Sequence, residues 1–501
     1  MSDKRLLVLI EGEFAGELVQ DPSGRMHFSY ETSRPRAATP LSLSMPTVVS
    51  RHEHRAVRPF VEGLLPDNER VLQRWRQQFD ITSRHPFALL KEVGEDVAGA
   101  VQFVRPERYE AARSGGSVEW LEAEDIGRWL HALRIDPTMW HYKRHGPQWS
   151  LTGAQAKLAL LYDGTRWGRP GGATPTTHIL KPTIPGYEHH DVNEHVCLEI
   201  GRRLGIPTAR TRLQEFARTR ALVVERYDRL ERDGRWLRVH QEDFCQALGI
   251  LPEHKYQREG GPGPRRMAEL LWRAQPGAEA RRCVLDLVDQ LAFQWLIGGS
   301  DAHAKNFSLL LSGQRVRLAP LYDAASALVY DDPDYGLDGL DLAMTIGGQR
   351  RLRQIGRREW GKLAVDVGLS SSEVIDRVGA LTANLPQAVS DVCGEPSLEK
   401  MAAEMVARLH RVFVARGKEC LSMIDPGPGI AQSSQVPGDK EQTDIPAGFT
   451  PVGSPSNTPD SVTARPTAAG SPAPICGAHM PIADAYCVLP TGHGGHHRSL
   501  V

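Results

Sequence analysis

The chain opens on short apolar runs separated by turn residues. LLVLIEG (6–12) and MHFSY (26–30) have the length and composition of strands. RLLVLI passes straight into EGEFAGEL, which predicts an edge hairpin. Apolar residues then recur at helical spacing around RPFVEGLLPDNERVLQRWRQQF and PFALLKEVGED, and AGAVQFV closes the segment as a strand. Residues 1–104 are therefore expected to form a small α+β unit. Residues 105–147 are expected to hold a linker, at ARSGGS, and then an acidic, capped helix start before DIGRWLHAL.

A second unit is expected over 148–424. WSLTGAQAKLALLYDG reads as strand, turn, strand, and THILKP as a further strand. HHDVNEHVCLEIGRRLGI is an amphipathic helix with Val196, Ile200 and Leu204 on one face and Gly205 as its stop. TRALVVERYDR is a strand ending in charge. From QEDFCQALGI onward the pattern is mostly helical, interrupted by GGSDAHAKNFSLLL and VRLAPLYDAAS. A strand-rich lobe followed by a helical lobe, with polar clusters at the joint, predicts a ligand cleft between them. Residues 425–474 are rich in Pro, Gly and Ser and poor in apolar side chains, which predicts a disordered linker.

Composition narrows the class. The 501 residues are too many for one ordinary core, and 41% hydrophobic with 24% charged is globular. A net charge of −1 supplies no global field for gripping nucleic acid. No apolar run is long enough to cross a bilayer and the N-terminus lacks a signal-peptide pattern, so no membrane role is expected. The seven cysteines (197, 245, 283, 393, 420, 476 and 487) are odd in number and scattered, which fits a reducing cytoplasm.

The candidate chemistry lies in four places. In GGSDAHAKNFSLLL, Asp301 and Asn306 stand five apart, and Asp323 follows after a short strand. Phosphoryl transfer uses such a set: a carboxylate takes the substrate hydroxyl proton, and an amide oxygen and a second carboxylate hold Mg²⁺ against phosphates. The spacing alone equally suits a helix-capping Asp301 and a surface Asn306. In LTGAQAKLAL, Gly153 permits a turn whose N–H groups could face phosphate, and Lys157 follows; a plain hairpin is the alternative. Lys181 ends an apolar strand and Glu194 lies on the next helix, a spacing open either to a phosphate-fixing pair or to two surface residues. Glu225, Arg226 and Tyr227 end the next strand, where backbone groups could meet an adenine edge or charge could simply be solvated. The four fall in the order of a protein kinase.

Taken together, SLTGAQAKLAL, THILKP, NEHVCLEIGRRLGI, VVERYDR, VHQEDFCQALG, KYQREGGPG, SDAHAKNFSLLL and LAPLYDAAS resemble the HipA family of bacterial serine/threonine kinases, toxins of type II toxin–antitoxin modules. The resemblance spans roughly residues 5–424 and implies an α+β, two-lobed, protein-kinase-like fold with an extra N-terminal subdomain. It implies Asp301 as catalytic base, Asn306 and Asp323 as Mg²⁺ ligands, and Lys181 on the ATP phosphates. Thr152, Gly153, Ala154, Gln155, Ala156 and Lys157 would form the phosphate loop. Glu225, Arg226 and Tyr227 would meet adenine, and His303, Ala304, Lys305, Asn306, Tyr322 and Asp323 would line the phosphates. Ser150 matches a serine at which family members autophosphorylate, an off switch. Two departures concern loop geometry: Gly299 stands where many relatives have Asn, and Ala156 where some have Glu.

The resemblance also implies partners: a small HipB-like helix-turn-helix antitoxin, operator DNA reached mainly through it, and a protein substrate, plausibly an aminoacyl-tRNA synthetase or translation factor. The alternatives are a phosphotransferase acting on a small molecule or lipid, and an inactive binding scaffold. Finally, residues 475–501 hold Cys476, His479, Cys487 and His493, which could close a tetrahedral Zn²⁺ site.

Overall fold

The computed structural model describes residues 4–114, 116–140, 149–330 and 339–425. Cys476, His479, Cys487 and His493, and the expected linker beyond Asp425, lie outside the described residues.

The N-terminal unit is a five-stranded antiparallel sheet of β1 (Lys4–Ile10), β2 (Glu13–Gln20), β3 (Met26–Tyr30), β4 (Arg51–His52) and β5 (Val101–Val104), in the order β4-β3-β2-β1-β5. The β1–β2 hairpin forms as expected but is not an edge. β5 returns to pair with β1, matching Val8 to Phe103, so the apolar run of β1 is central. Three helices (His54–Gly63, Glu69–Gln78, Pro86–Val93) cover the sheet.

The next sheet has six antiparallel strands: β6 (Gly116–Leu121), β7 (Leu158–Tyr162), β8 (Trp167–Gly172), β9 (His178–Pro182), β10 (Thr211–Phe216) and β11 (Thr219–Glu225). Their order is β10-β11-β9-β7-β8-β6. Two expectations change here. The Gly/Ser stretch is not only a linker, because GSVEWL forms β6, pairs along all of β8 and seats Trp120 beneath the Arg166 guanidinium. The strand expected before Gly153 does not form. Ser150 N–H donates to the Asp96 carbonyl and its Oγ to the Leu64 carbonyl, so this backbone is anchored to the N-terminal unit instead of a ladder.

The helix His190–Arg203 is buried on almost every face, not amphipathic, because it is packed between this sheet and the last two long helices, Ser371–Cys393 and Pro396–Ile424. Beyond the hairpin β12 (Arg229–Arg232) and β13 (Arg235–Arg238), the C-terminal lobe is helical around a three-stranded sheet. That sheet is β14 (His240–Asp243), β15 (Ser308–Ser312) and β16 (Arg315–Leu318).

Two large cores result. One joins Phe28, Phe60, Trp75 and Phe103 of the N-terminal unit to Leu158, Leu180 and Val223 of the second sheet, so the core runs on without a break between them. The other fills the helical lobe around Trp295, Phe307, Trp360 and Phe413.

The charges that follow β11 are buried, not solvated. Arg226 donates to the Asp228 carboxylate, to Thr176 Oγ1 and to the Val97 carbonyl. Arg229 Nη2 sits 2.9 Å from Asp96 Oδ1, with Arg238 nearby. Buried Asp96 thus faces three guanidinium groups, and despite burial their charge holds its carboxyl below the usual range. Removing one partner of a buried charge network leaves the others uncompensated. Asp96→Ala is therefore expected to cost about 3–5 kcal/mol, read as a lowered midpoint in urea unfolding.

Candidate active site

The 21-residue helix Gly277–Ile297 is buried along its second half and ends at Gly298, whose φ of +65° makes a left-handed C-cap. A side chain there would strike Leu328 at 2.5 Å, so the stop is fixed both conformationally and sterically. Asp301 follows at once. Its Oδ1 accepts a 2.6 Å hydrogen bond from the Tyr256 hydroxyl, and its carbonyl accepts 2.8 Å bonds from Asn306 Nδ2 and His303 N–H. Burial pushes the Asp301 carboxyl up, to about 6, against the pull of Lys255 and Tyr256. His303 stacks edge-on against Tyr256, and burial lowers its pKa so that it stays neutral.

Asp323 follows β16 in the left-handed region, φ +54°, a strained conformation for a non-glycine residue. Its preceding turn is held by Leu321, whose N–H donates to the Pro207 carbonyl and whose carbonyl accepts from Ala209 N–H. The carboxylate opens into the cleft. Lys181, leaving β9, places Nζ 2.6 Å from Asp323 Oδ1 and 2.7 Å from Glu194 Oε1. Burial disfavours the ammonium, but the two carboxylates outweigh it and raise its pKa. Burial likewise raises Glu194, whereas at the more open Asp323, Lys181 outweighs partial desolvation and holds the carboxyl well below the usual range.

The phosphate-loop candidate closes the cleft from above. Gly153 has φ +94°, and Lys157 curls back to donate from Nζ to the Thr152 carbonyl at 2.9 Å, over the Trp140 ring at 4.2 Å. Burial, with Lys181 adding, lowers Lys157 to about 7. On the far wall the Tyr227 and Tyr322 rings lie 5.7 Å apart, and Tyr322 Oη donates to the Lys305 carbonyl.

One cleft therefore gathers Thr152, Gly153, Ala154, Gln155, Lys157, Lys181, Glu194, Glu225, Arg226, Tyr227, Asp301, His303, Lys305, Asn306, Tyr322 and Asp323. Ala156 and Ala304 do not line it, because their methyl groups pack into the two cores. Ser150 is buried behind the loop. The Arg226 guanidinium belongs to the Asp96 network, so any contact with a ligand there would come from its backbone side.

Residues absent from the expected set also line the cleft: Asp67, Lys255 and Tyr256. Asp67 carries one signal in the sequence. Asp67 and Asn68 are both capping residues before a helix that needs one N-cap, and Asn68 fills that role at 2.9 Å to Arg70 N–H.

For a metal, the site offers the Asp323 carboxylate and the Asn306 amide, whose nitrogen is anchored on Asp301 so that its oxygen end remains. Hard oxygen donors of this kind suit Mg²⁺, which takes one or two protein ligands and completes its shell with phosphate and water. Among the described residues no group of three or more His, Cys, Asp or Glu side chains could hold a metal.

Residues 6–104 match the HipA N-terminal domain, and residues 149–389 the HipA-like C-terminal domain. A provisionally named kinase of Sinorhizobium fredii, Y4mE, is 35% identical over 79% of this chain and 94% of its own. The chain belongs to the HipA family. The serine/threonine-protein kinase toxin HipA of Shewanella oneidensis is 29% identical over 73% of this chain and 84% of its own. A solved structure of HipA with HipB and operator DNA from Shewanella oneidensis MR-1 superposes with a TM-score of 0.73 at 27% identity. That match covers 84% of this chain and 98% of the other.

The fold of this HipA-family chain is thus the two-lobed, protein-kinase-like α+β fold expected. Within it, Lys181 bonds to both Glu194 and Asp323. Lys181→Met should release Asp323 from its depressed pKa and leave Glu194 without its cation. A polyphosphate nucleotide seated in this cleft would then bind about 10- to 100-fold more weakly by calorimetry.

Proposed function

We propose that this HipA-family chain is an ATP- and Mg²⁺-dependent serine/threonine protein kinase, the toxin of a type II toxin–antitoxin module. The observation that carries the reading is the meeting of Lys181–Glu194, Asp301, Asn306 and Asp323 in one inter-lobe cleft.

The division of labour follows from the environments. Asp301 accepts the proton of the acceptor hydroxyl; with one oxygen held by Tyr256, the other is its proton acceptor. A pKa of about 6 leaves it ionised at neutral pH yet more basic than an ordinary carboxylate. The acceptor oxygen bonds to the γ-phosphorus as the bond from that phosphorus to the β,γ-bridging oxygen breaks, and ADP leaves with the electron pair. Lys181 binds the phosphates and Glu194 orients it. Asn306 and Asp323 would hold Mg²⁺, which when bound neutralises charge on the phosphate oxygens. Tyr227 packs against the nucleotide side of the cleft.

Ser150 is the expected site of self-modification. Its hydroxyl is fully buried on the Leu64 carbonyl, so it can be phosphorylated only with the loop displaced, and a dianion could not return to that place. A HipB-like antitoxin partner, contacting operator DNA, is supported by the Shewanella complex and by this chain's near-neutral charge. The acceptor proposed is a protein hydroxyl.

Intact mass after incubation with Mg-ATP tests this reading. Wild type should gain one phosphate, mapped to Ser150, and Asp301→Ala none; equal silence in both with no substrate phosphorylated in cell extract would refute it. A second outcome concerns pH. Activity (kcat/KM) should fall as pH drops through about 6, where Asp301 protonates. Tyr256→Phe removes a bond that favours the ionised form, so this limb should move to higher pH.

A further inference from the structure

Asp67 enters the cleft from the N-terminal unit, on the short segment between two of its helices. Its carboxylate is largely buried, and each oxygen has its own cation: Lys305 Nζ at 2.6 Å from Oδ1 and Lys255 Nζ at 2.9 Å from Oδ2. Its own N–H donates to the Gly153 carbonyl of the phosphate loop at 3.3 Å. Lys255 adjoins Tyr256, which holds Asp301, and the Lys255 carbonyl accepts from Ala304 N–H in the catalytic segment. Lys305 adjoins Asn306.

Three features set this apart from a plain anchoring ion pair. Two cations share one anion, and both also feel further carboxylates: Lys255 that of Asp301 and Lys305 that of Asp243. All three side chains line the cleft instead of a closed interface. The neighbouring helix is capped by Asn68, so Asp67 is not needed there. A carboxylate that fixes two ammonium groups beside the Asp301 carboxylate suits a transition state that spreads negative charge over phosphoryl oxygens.

We propose that Asp67 is a positioning residue for phosphoryl transfer: it aims Lys255 and Lys305 at the transferring phosphoryl group, so that the N-terminal unit completes the active site. This rests on the kinase reading above. Lys255 and Lys305 stabilise the charge; Asp67 touches neither nucleotide nor acceptor and acts through them.

The test compares full-length wild type, Asp67→Asn, Lys255→Met, their double variant and Asp301→Ala. Three quantities are measured: thermal midpoint, Mg-ADP affinity by calorimetry, and the rate of ADP formation from Mg-ATP with dephosphorylated casein as acceptor. Asp67→Asn removes a negative charge near the phosphates, so positioning predicts Mg-ADP binding that is unchanged or tighter while kcat falls about 100-fold. Because Asp67 acts through Lys255 and Lys305, Asp67→Asn added to Lys255→Met loses only the part carried by Lys305 and should cost less than about a tenth of that factor. Lys255→Met keeps a neutral Asp67–Lys305 pair and so reports even if Asp67→Asn folds poorly.

A kcat for Asp67→Asn within about twofold of wild type overturns the proposal. So does a loss in which kcat, Mg-ADP affinity and thermal midpoint fall together and multiply with Lys255→Met, which would make Asp67 an anchor only. Wild type no faster than Asp301→Ala on casein, and no phosphate transferred in cell extract, with Mg-ADP still bound, removes the kinase reading itself and this proposal with it.

Discussion

Two carboxylates of the N-terminal unit, the buried Asp96 and the largely buried Asp67, govern how the two lobes meet. Asp96 faces the arginines beyond β11 and Asp67 the lysines of the helical lobe. Each desolvated charge costs several kcal/mol unless it is paired, so the geometry that pairs all of them is strongly preferred over neighbouring ones. Apolar packing cannot do this alone, because hydrophobic contact is non-directional. The shared core brings the unit against the second sheet, and the charges select the angle.

The same principle runs through the cleft. Asp301 and Asp323 are both carboxylates lining the same cleft, yet burial lifts one to about 6 and Lys181 holds the other far below. Environments that push paired carboxyl groups apart assign one to proton transfer and the other to permanent charge. Each group is held by a residue from a different element: Asp301 by Tyr256, Asp323 by Lys181, and Lys181 by Glu194. Correct chemistry therefore requires the whole tertiary arrangement.

How much of this the chain announces follows from sequence distance. Asp301, Asn306 and Asp323 were legible because their spacing is local, and Lys181 because an apolar strand ends in it. β9 was legible from its apolar run, and the helix beginning at His190 from its length and the Gly205 stop, though not from the apolar stripe, since nearly every face is buried. Ala156 and Ala304 were drawn into the expected site by adjacency, since a short motif does not say which of its side chains turn to the core. The arginines after β11 look solvated in sequence, because their partner Asp96 lies 130 or so residues earlier, beyond any periodic signal. Asp67 is hidden for the same reason, 188 residues from Lys255. GSVEWL looks like linker because its strand character is supplied by β8, which comes later in the chain.

Residues 64–67 join the two functions of the N-terminal unit. Leu64 accepts the Ser150 hydroxyl and Asp67 donates to Gly153, so the same few residues hold the phosphate loop from behind and the lysines from below. Displacing the loop breaks both loop contacts at once, while the Asp67–Lys305 and Asp67–Lys255 pairs need not move. Under the proposed function, a phosphate on Ser150 would thus displace the loop and leave the Asp67 pairs assembled. Displacing the loop in this way preserves the charge pairs, which are the expensive part of the fold, and requires breaking only three neutral hydrogen bonds and the packing of one loop.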